Sequence, residues 1–200
     1  MLAGRRLYLL FTPQLCTADP WQTLKAAIRG GVDLVQWRSK TPDDAGFRRC
    51  RDLCASYEVP LIVNDDVMLA VRGRANGAHI GDDDMPPDAA RRIMPRGLLG
   101  ISTHSLAQLN EATNAGADYV GFGPCFPTAT KEYATGLAPD LIEAAVAASK
   151  VPLFAVGGIC LDNLRSLQFL GVNNIAVCST ILRADDPGTV AAKLRNFLGN

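Results

Sequence analysis

The sequence predicts an α/β protein, a compact (β/α)8 TIM barrel in which residues 1–200 form one domain. Short apolar runs alternate with amphipathic helical segments from end to end, and eight such runs can be counted. No linker rich in Gly, Ser or Pro divides the chain, and 200 residues is the compact end of the range for this fold. A doubly wound open sheet usually has fewer strands, and the first turn here, after Phe11, carries no GxGxxG pattern.

The predicted strands are short and almost continuously apolar, as expected for parallel strands that are buried on both faces. In chain order they cover residues 7–11, 33–37, 60–64, 78–80, 98–101, 119–122, 153–156 and 174–177. The clearest amphipathic segments between them predict helices over residues 21–29, 45–56, 106–115 and 141–148. Asp19-Pro20 and Pro187 are typical helix starts, and the segments around 66–73 and 88–94 predict short helices.

The amino-acid composition limits the classes of molecule that we expect the protein to bind. Twenty basic and twenty acidic residues cancel, so no overall field favours nucleic acid or an anionic membrane. No apolar run approaches membrane length, and the run over residues 7–11 is too short for the core of a signal peptide. We therefore expect a soluble, cytoplasmic protein that binds small molecules, with no nucleic acid or membrane partner; the oligomeric state stays open.

The six cysteines are scattered and contain neither a CxxC pair nor a histidine at zinc spacing. Cys50 and Cys54 lie one helical turn apart, which is typical of a shared buried helix face.

Polar and glycine-rich residues follow seven successive strands, where a (β/α)8 barrel holds its active site. They are Gln36, Arg38 and Lys40 after the second strand, residues 64–66 after the third, 79–84 after the fourth, 102–104 after the fifth, 123–131 after the sixth, Gly157 and Gly158 after the seventh, and 178–180 after the eighth.

The stretch VQWRSK at residues 35–40 places two cations on one face of a strand. Strand alternation puts Gln36, Arg38 and, one step further, Lys40 toward the barrel interior, whereas Trp37 and Ser39 face the helices. We expect Trp37 to pack in the core. An arginine fork beside a lysine point charge predicts a phosphate or pyrophosphate site. The alternative is that both cations pair with carboxylates of neighbouring strands.

Asp65 and Asp84 end adjacent strands opposite these cations, and such hard oxygen ligands favour Mg²⁺, which often needs only one or two protein carboxylates. Helix capping or a solvated acidic turn is the better interpretation of Asp66, Asp82 and Asp83.

The glycine pair Gly157-Gly158 and the segment 178–180 predict a second phosphate site, because loops after the seventh and eighth barrel strands commonly hold one. The two histidines suggest no catalytic relay. We expect His79 to be a hydrogen-bonded core residue and His104 to lie at the surface, where it opens a helix.

Together these stretches resemble the thiamine phosphate synthase (thiamine-phosphate pyrophosphorylase) family. The resemblance runs in order through VQWRSK, VNDD, GAHIGDDD, LLGIST, GADYVGFGPCFPTATK, VPLFAVGGI and AVCSTI, nearly the whole chain. It implies a compact (β/α)8 barrel that joins hydroxymethylpyrimidine pyrophosphate to thiazole phosphate and releases pyrophosphate with Mg²⁺.

The resemblance also implies a role for each matching residue. Three cations, Arg38, Lys40 and Lys131, would act in catalysis by neutralising the leaving pyrophosphate. The other implied roles are Gln36 and Ser102 on the pyrimidine, Asn64 on the pyrophosphate, Asp65 and Asp84 on Mg²⁺, Thr128 and Thr130 on the thiazole phosphate, and Gly158, Cys178 and Ser179 as backbone contacts to that phosphate.

Trp37, Ser39 and Asp82 depart from the residues usual in the family and bear on rate or substrate preference rather than on reaction class. Two other functions stay open. One is a thiazole tautomerase-like paralogue, which would use a histidine acid/base. The other is a barrel that binds phosphorylated thiamine precursors without turnover.

Overall fold

The computed structural model describes residues 2–128 and 135–199, and within them the chain forms a closed barrel of parallel strands surrounded by helices. The strands are β1 (Leu7–Phe11), β2 (Leu34–Trp37), β3 (Leu61–Asn64), β4 (Gly77–Ile80), β5 (Leu98–Thr103), β6 (Tyr119–Phe122), β7 (Leu153–Val156) and β8 (Ile175–Val177). The helices are α1 (Pro20–Arg29), α2 (Asp44–Ser56), α3 (Val67–Arg72), α4 (Pro87–Ile93), α5 (Leu106–Asn114), α6 (Pro139–Ala148), α7 (Leu164–Phe169), α8 (Ser179–Leu182) and α9 (Pro187–Phe197). A single 3₁₀ turn, Pro13–Leu15, follows β1.

Each strand pairs in parallel with its sequence neighbours, and β8 returns to pair with β1, which closes the barrel. The predicted (β/α)8 fold is therefore confirmed. Most predicted strand ends agree within one residue. The exception is β5, which continues to Thr103 because Ser102 and Thr103 pair with Gly121 and Phe122 of β6.

Alternate residues of the strands form two separate apolar layers. The barrel interior is filled by a small cluster, Tyr8, Leu34, Ile62, Tyr119, Phe154 and Ala176. The opposite faces of the strands pack on the helices in the larger core. Trp37 belongs to that outer layer, where its ring centroid lies 6.1 Å from that of Phe11 and 6.3 Å from that of Phe47. The prediction that Trp37 packs in the core is confirmed.

Helix starts follow the capping rules that the sequence indicated. Asp19 accepts hydrogen bonds from Trp21 N and Gln22 N at the start of α1, and Asp66 accepts one from Leu69 N at the start of α3. The short helices α3 and α4 agree with the prediction for their segments. Cys50 and Cys54 are both buried on α2, as expected, and neither forms a disulfide.

Asp33 fixes the amino-terminal end of the barrel, opposite the predicted site. Its carboxylate accepts hydrogen bonds of 3.0 Å from Arg6 N and Leu7 N and forms an ion pair of 3.3 Å with Arg195 on α9. Burial raises the pKa of this carboxyl, although these partners oppose the rise. At this end of the barrel the charged groups therefore satisfy one another.

Across residues 2–128 and 135–199, none of the helices combines the length and apolar character that a membrane crossing requires.

Trp37→Ala tests the outer core. Because the indole is only 3% exposed, we expect the free energy of unfolding to fall by about 3–5 kcal/mol. Urea denaturation followed by far-UV circular dichroism measures the change. Trp21→Ala is the matched control, because Trp21 on α1 is only partly buried beneath Arg49 and should cost less. An equal loss in both variants would contradict this account of the core.

Candidate active site

A cavity of about 120 Å³ opens at the carboxyl ends of the strands. Its walls come from all of the strands or the loops that follow them, and glycines 121, 123, 157 and 158 let backbone line it directly. The polar side chains at its surface are Tyr8, Gln36, Arg38, Asn64, His79, Ser102, His104, Thr128, Cys178, Ser179 and Thr180. The position of the cavity is that of the active site in other (β/α)8 barrels.

A chain of hydrogen bonds crosses the barrel interior beneath this cavity. Gln36 Nε2 donates to Tyr8 Oη at 2.8 Å, and Tyr8 Oη lies 2.9 Å from Tyr119 Oη. Tyr119 Oη lies 3.2 Å from His79 Nδ1, and His79 Nε2 lies 3.0 Å from Ser102 Oγ. We call these five residues the interior hydrogen-bond chain. It confirms the expectation that His79 is a hydrogen-bonded core residue.

Gly100 makes the contact between His79 and Tyr119 possible. In the strand register, His79 of β4 pairs with Gly100 of β5, and Gly100 pairs with Tyr119 of β6. A methyl group at Gly100 would overlap the Tyr119 phenol and His79 Nδ1. The His79 and Tyr119 side chains therefore contact each other across Gly100, where any Cβ atom would block the contact.

The two phenols of this chain stay neutral. Burial raises the pKa of Tyr8 above its ordinary value, even though the hydrogen bonds with Tyr119 and Gln36 oppose the rise. Burial also raises the pKa of Tyr119, and the neighbouring Tyr8 adds to the effect. Each hydroxyl therefore keeps its proton and can donate one hydrogen bond.

Arg38 lies above the interior hydrogen-bond chain and contributes a cation to the lining of the cavity. It follows β2, and its backbone N–H donates to Phe11 O at 2.9 Å. Its guanidinium Nη1 is buried and has no hydrogen-bond partner among the described residues. An unpaired buried cationic nitrogen is costly, so an anion that enters the cavity would gain a ready partner. The alternative of an ion pair with a neighbouring carboxylate finds no support among the described residues.

A second cavity of about 310 Å³ adjoins the first and shares Arg38, Thr128, Gly158, Ser179 and Thr180 with it. Lys40 and Arg183 also line this second cavity, so with Arg38 the described residues supply three cations to its lining. Lys40 does not lie on the strand, because β2 ends at Trp37, and its side chain is exposed. The inward row predicted for Gln36, Arg38 and Lys40 therefore bends outward at Lys40.

Gly157 and Gly158 both have positive φ angles, 100° and 61°, a backbone region that favours glycine. A side chain on Gly158 would also meet Pro127 O and Phe126 Cβ. Thr180 Oγ1 donates to Ile159 O and ties the loop after β7 to the start of α8. These loops therefore bring Gly158 and Ser179 to the same cavities, and the second phosphate site at these residues stays a prediction.

Asp65 and Asp84 follow adjacent strands β3 and β4. Asp65 has a φ of 63°, and its carboxylate accepts a hydrogen bond of 2.5 Å from Asn64 Nδ2. Asp84 Oδ2 accepts one of 2.7 Å from Gly81 N. Within the described part of the chain, no group of three or more His, Cys, Asp or Glu side chains could hold a metal ion. A site of two carboxylates completed by water and phosphate oxygens does not need such a group.

Cys178 offers a neutral thiol rather than a nucleophile. Burial raises the pKa of this thiol, while the hydrogen bond to Thr12 and the charges of Arg38 and Arg183 oppose the rise. Both arginines thus lie close enough to act on the same sulfur atom.

The structure gathers most of the predicted residues. Gln36, Arg38, Asn64, Ser102, Thr128, Gly158, Cys178 and Ser179 line the first cavity, and Lys40 lines the second. Thr130 and Lys131 lie outside the described residues. The surface location expected for His104 is wrong: it is half-buried and lines the cavity, because its Nδ1 bonds to Gly123 O across the next loop.

Ser39 and Asp82, two of the departures from the family pattern, have partners away from the cavity lining. Ser39 accepts from Gln14 Nε2 at 3.2 Å and donates to Thr41 O at 2.7 Å. Asp82 accepts from Gln108 Nε2 at 3.0 Å. Both serve local structure in their loops.

Three site residues escaped the sequence reasoning. In the sequence, Tyr8 and Tyr119 resemble ordinary residues of apolar strands. The available signal is that a buried phenol needs a hydrogen-bond partner. Arg183 gave no signal, because it is exposed beyond the end of α8 and reaches the second cavity only through the fold.

The fold and this site define a (β/α)8-barrel protein with a candidate active site. Neutral hydrogen-bonding groups lie in the barrel interior, and cations lie above them, toward the loops at the carboxyl ends of the strands. The family model described as thiamine monophosphate synthase matches residues 7–181. The chain therefore belongs to the thiamine monophosphate synthase family, as its resemblance indicated.

Comparisons with individual proteins agree with this family assignment. The chain is 38% identical to thiamine-phosphate synthase of Thermoplasma acidophilum, in a match that covers 100% of this chain and 96% of the relative. It is 39% identical to thiamine-phosphate synthase of a Synechococcus strain, over 88% of this chain and 52% of that protein, so it spans about half the length of that relative. The structure of thiamine phosphate pyrophosphorylase from Pyrococcus furiosus superposes with a TM-score of 0.87 at 30% identity and covers 97% of this chain and 95% of that one.

Arg38→Met tests whether the Arg38 guanidinium binds an anionic ligand. Because Arg38 Nη1 is buried without a partner among the described residues, its removal should leave the free energy of unfolding of the ligand-free protein unchanged or raise it by about 1–3 kcal/mol. We expect inorganic pyrophosphate to raise the melting temperature of the wild type and to leave that of Arg38→Met unchanged. Differential scanning fluorimetry with and without pyrophosphate measures both effects.

The control is Arg48→Met, the same change on the exposed face of α2, which should keep the response to pyrophosphate. If Arg38→Met instead destabilises the ligand-free protein and keeps that response, Arg38 has a structural role.

Proposed function

We propose that the protein is a thiamine phosphate synthase, a transferase that condenses hydroxymethylpyrimidine pyrophosphate with thiazole phosphate to give thiamine phosphate and pyrophosphate. The observation that carries this proposal is the buried Nη1 of Arg38, which has no hydrogen-bond partner in the described part of the chain and lies above a cavity lined by neutral hydrogen-bonding groups. A neutral heterocycle that carries a pyrophosphate has the matching distribution of charge. Membership of the family supports the same reaction.

The cavity suggests how the substrates divide among the residues. Gln36 and Ser102, at the two ends of the interior hydrogen-bond chain, suit the pyrimidine. Arg38, Lys40 and Asn64 suit its pyrophosphate. The thiazole phosphate is assigned to Thr128, Gly158, Cys178 and Ser179, which line the cavity at the other loops. Thr130 and Lys131 keep the roles that the family resemblance implies, as predictions.

Mg²⁺ is the proposed metal, held by Asp65 and Asp84. The donor set fits, because two hard carboxylate oxygens follow adjacent strands and Mg²⁺ usually completes its shell with water and substrate phosphate oxygens. When bound there, the ion would supply positive charge to the departing pyrophosphate.

The residues of the chain then act mainly by charge. The bond between the pyrimidine methylene carbon and pyrophosphate oxygen breaks, and the oxygen leaves with the electron pair. The thiazole nitrogen donates its lone pair to that carbon and forms the new C–N bond. This nitrogen then carries the positive charge of the product. Fixed cations such as Arg38 stabilise the charge that develops on the leaving group, and one such group can contribute about 3 kcal/mol. No protein nucleophile is required, in keeping with the raised pKa of Cys178.

A thiazole tautomerase-like function has one observation in its favour, since His79 and His104 both line the cavity. Isomerisation, however, generates no leaving pyrophosphate whose charge the buried Arg38 Nη1 could neutralise. The cytoplasmic location and the lack of nucleic-acid or membrane partners stay predictions.

The synthase reaction is tested directly with the purified chain, both substrates and Mg²⁺. We expect thiamine phosphate and pyrophosphate to appear in equal amounts, with neither formed when thiazole phosphate is omitted. Liquid chromatography and an enzyme-coupled pyrophosphate assay measure the two products. Binding of both substrates without either product would indicate a non-catalytic binder, and isomerisation of the thiazole alone would indicate a tautomerase.

Asp84→Asn tests the metal assignment. The amide oxygen can still accept the hydrogen bond from Gly81 N, so the turn should persist while the ligand loses its charge. We expect the Mg²⁺ concentration for half-maximal rate to rise at least about tenfold, since a ligand with one charge fewer binds the ion more weakly. Calorimetric Mg²⁺ binding in the presence of pyrophosphate should weaken in parallel.

Asp83→Asn is the matched control, because Asp83 is exposed in the same turn. An unchanged Mg²⁺ dependence in Asp84→Asn, or an equal change in both variants, would remove Asp84 from the metal site.

A further inference from the structure

The interior hydrogen-bond chain takes one direction when the Gln36 amide nitrogen faces Tyr8, as it does in this structure. Gln36 Nε2 can only donate, so Tyr8 Oη accepts from it. The single proton of Tyr8 is then donated to Tyr119 Oη, 2.9 Å away. Tyr119 in turn donates its proton to His79 Nδ1, 3.2 Å away. Each phenol gives one hydrogen bond and receives one, so neither can change direction alone.

The direction determines the tautomer of His79. A neutral imidazole carries one N–H, and Nδ1 accepts from Tyr119, so the proton lies on Nε2. Nε2 then donates to Ser102 Oγ at 3.0 Å, and the Ser102 hydroxyl proton is left to point elsewhere. At the opposite end, the amide nitrogen of Gln36 is engaged with Tyr8, and its carbonyl oxygen accepts no hydrogen bond from the residues that the structure describes.

Both ends of the interior hydrogen-bond chain line the cavity. We infer that Tyr8, Tyr119 and His79 are positioning residues that set this proton direction, so that the cavity presents an acceptor at Gln36 and a donor at Ser102 to the aminopyrimidine edge of the substrate. This inference rests on the proposed function. An aminopyrimidine carries an N–H₂ donor beside a ring-nitrogen acceptor, which is the complementary pair.

Reversal of the Gln36 amide would reverse every proton in the chain. Tyr8 would donate to Gln36, Tyr119 to Tyr8 and His79 Nδ1–H to Tyr119, so Ser102 would donate to His79 Nε2. The cavity would then present a donor at Gln36 and an acceptor at Ser102. The tautomer of one histidine therefore reports the polarity of both ends.

Nitrogen-15 NMR of the histidine-labelled full chain at pH 8, well above the ordinary histidine pKa of about 6.5, reads this tautomer. The chain contains two histidines, and His104→Gln assigns the signals. His104 is an internal reference of the opposite kind, because its Nδ1 bonds to the carbonyl oxygen of Gly123, which can only accept. We expect Nε2–H for His79 and Nδ1–H for His104. An Nδ1–H tautomer at His79 overturns the inference.

Tyr119→Phe interrupts the interior hydrogen-bond chain with little change of volume. The His79 ring signals should move toward the average of the two tautomers. Calorimetry should show affinity for hydroxymethylpyrimidine pyrophosphate falling about tenfold, the value of one neutral hydrogen bond, with affinity for inorganic pyrophosphate within twofold of wild type. Tyr57→Phe, at the half-buried residue that follows α2, is the control and should change neither. Equal losses for both ligands, or no loss, would contradict the positioning role.

Two substitutions of His79 separate positioning from packing. A glutamine amide can reach the place of Nε2 and still donate to Ser102, whereas the shorter asparagine amide lies nearer the place of Nδ1. We expect His79→Gln to keep most of the affinity for the pyrimidine substrate and His79→Asn to lose it about tenfold. Equal loss in both variants would assign His79 a packing role only.

These outcomes are distinguishable from failure of the proposed function. A wild-type chain that turns over both substrates while His79 carries Nδ1–H refutes the inference alone. A wild-type chain with Nε2–H at His79 that does not bind hydroxymethylpyrimidine pyrophosphate refutes the proposed function and the ring recognition built on it, although the proton direction stands.

Discussion

Closure of the parallel strands into one barrel sends alternate side chains into a shared interior, where every polar group must find a partner within the barrel or in a ligand. Tyr8, Tyr119 and His79 meet this requirement through one another. Arg38, one level higher, does not meet it among the described residues. The division between satisfied and unsatisfied groups is what separates the lower and upper parts of the candidate active site.

The two parts of the site suit different chemical tasks. A rigid set of neutral hydrogen bonds can distinguish a heterocycle by its donors and acceptors, since a wrong partner leaves a buried polar group unpaired. A set of cations around Arg38, Lys40 and Arg183 suits charge that moves during a reaction, because fixed positive groups need no reorganisation. Ring recognition and leaving-group stabilisation can therefore be assigned to separate residues of the two adjoining cavities.

The sequence predicted the features that depend on local pattern, such as strand faces and helix caps. It did not predict the side-chain contacts that depend on closure of the barrel. Strand alternation was enough to place Trp37 outside and Gln36 inside, and capping chemistry was enough for Asp19 and Asp66. The bond between Tyr8 and Tyr119 joins residues 111 positions apart and exists only because the barrel closes. Local pattern likewise placed His104 at a helix start, but the carbonyl that turns its ring toward the cavity belongs to another loop, at Gly123. Loop positions and cross-barrel contacts carry no periodic signal, so they had to come from the structure.

His79 belongs to both parts of the site through different atoms. Its ring continues the interior hydrogen-bond chain, while its backbone oxygen accepts from Asp65 N at 2.8 Å and its strand position pairs with Asn64. The left-handed backbone of Asp65 is thus fixed by a main-chain bond that no substitution of the His79 ring removes. A conservative ring substitution should disturb recognition of the heterocycle while the backbone that carries Asn64 and Asp65 stays in place. The pairing of β3 with β4 therefore fixes the position of the lower part of the site relative to the upper part. The side chains at the ends of these two strands determine the separate task of each part.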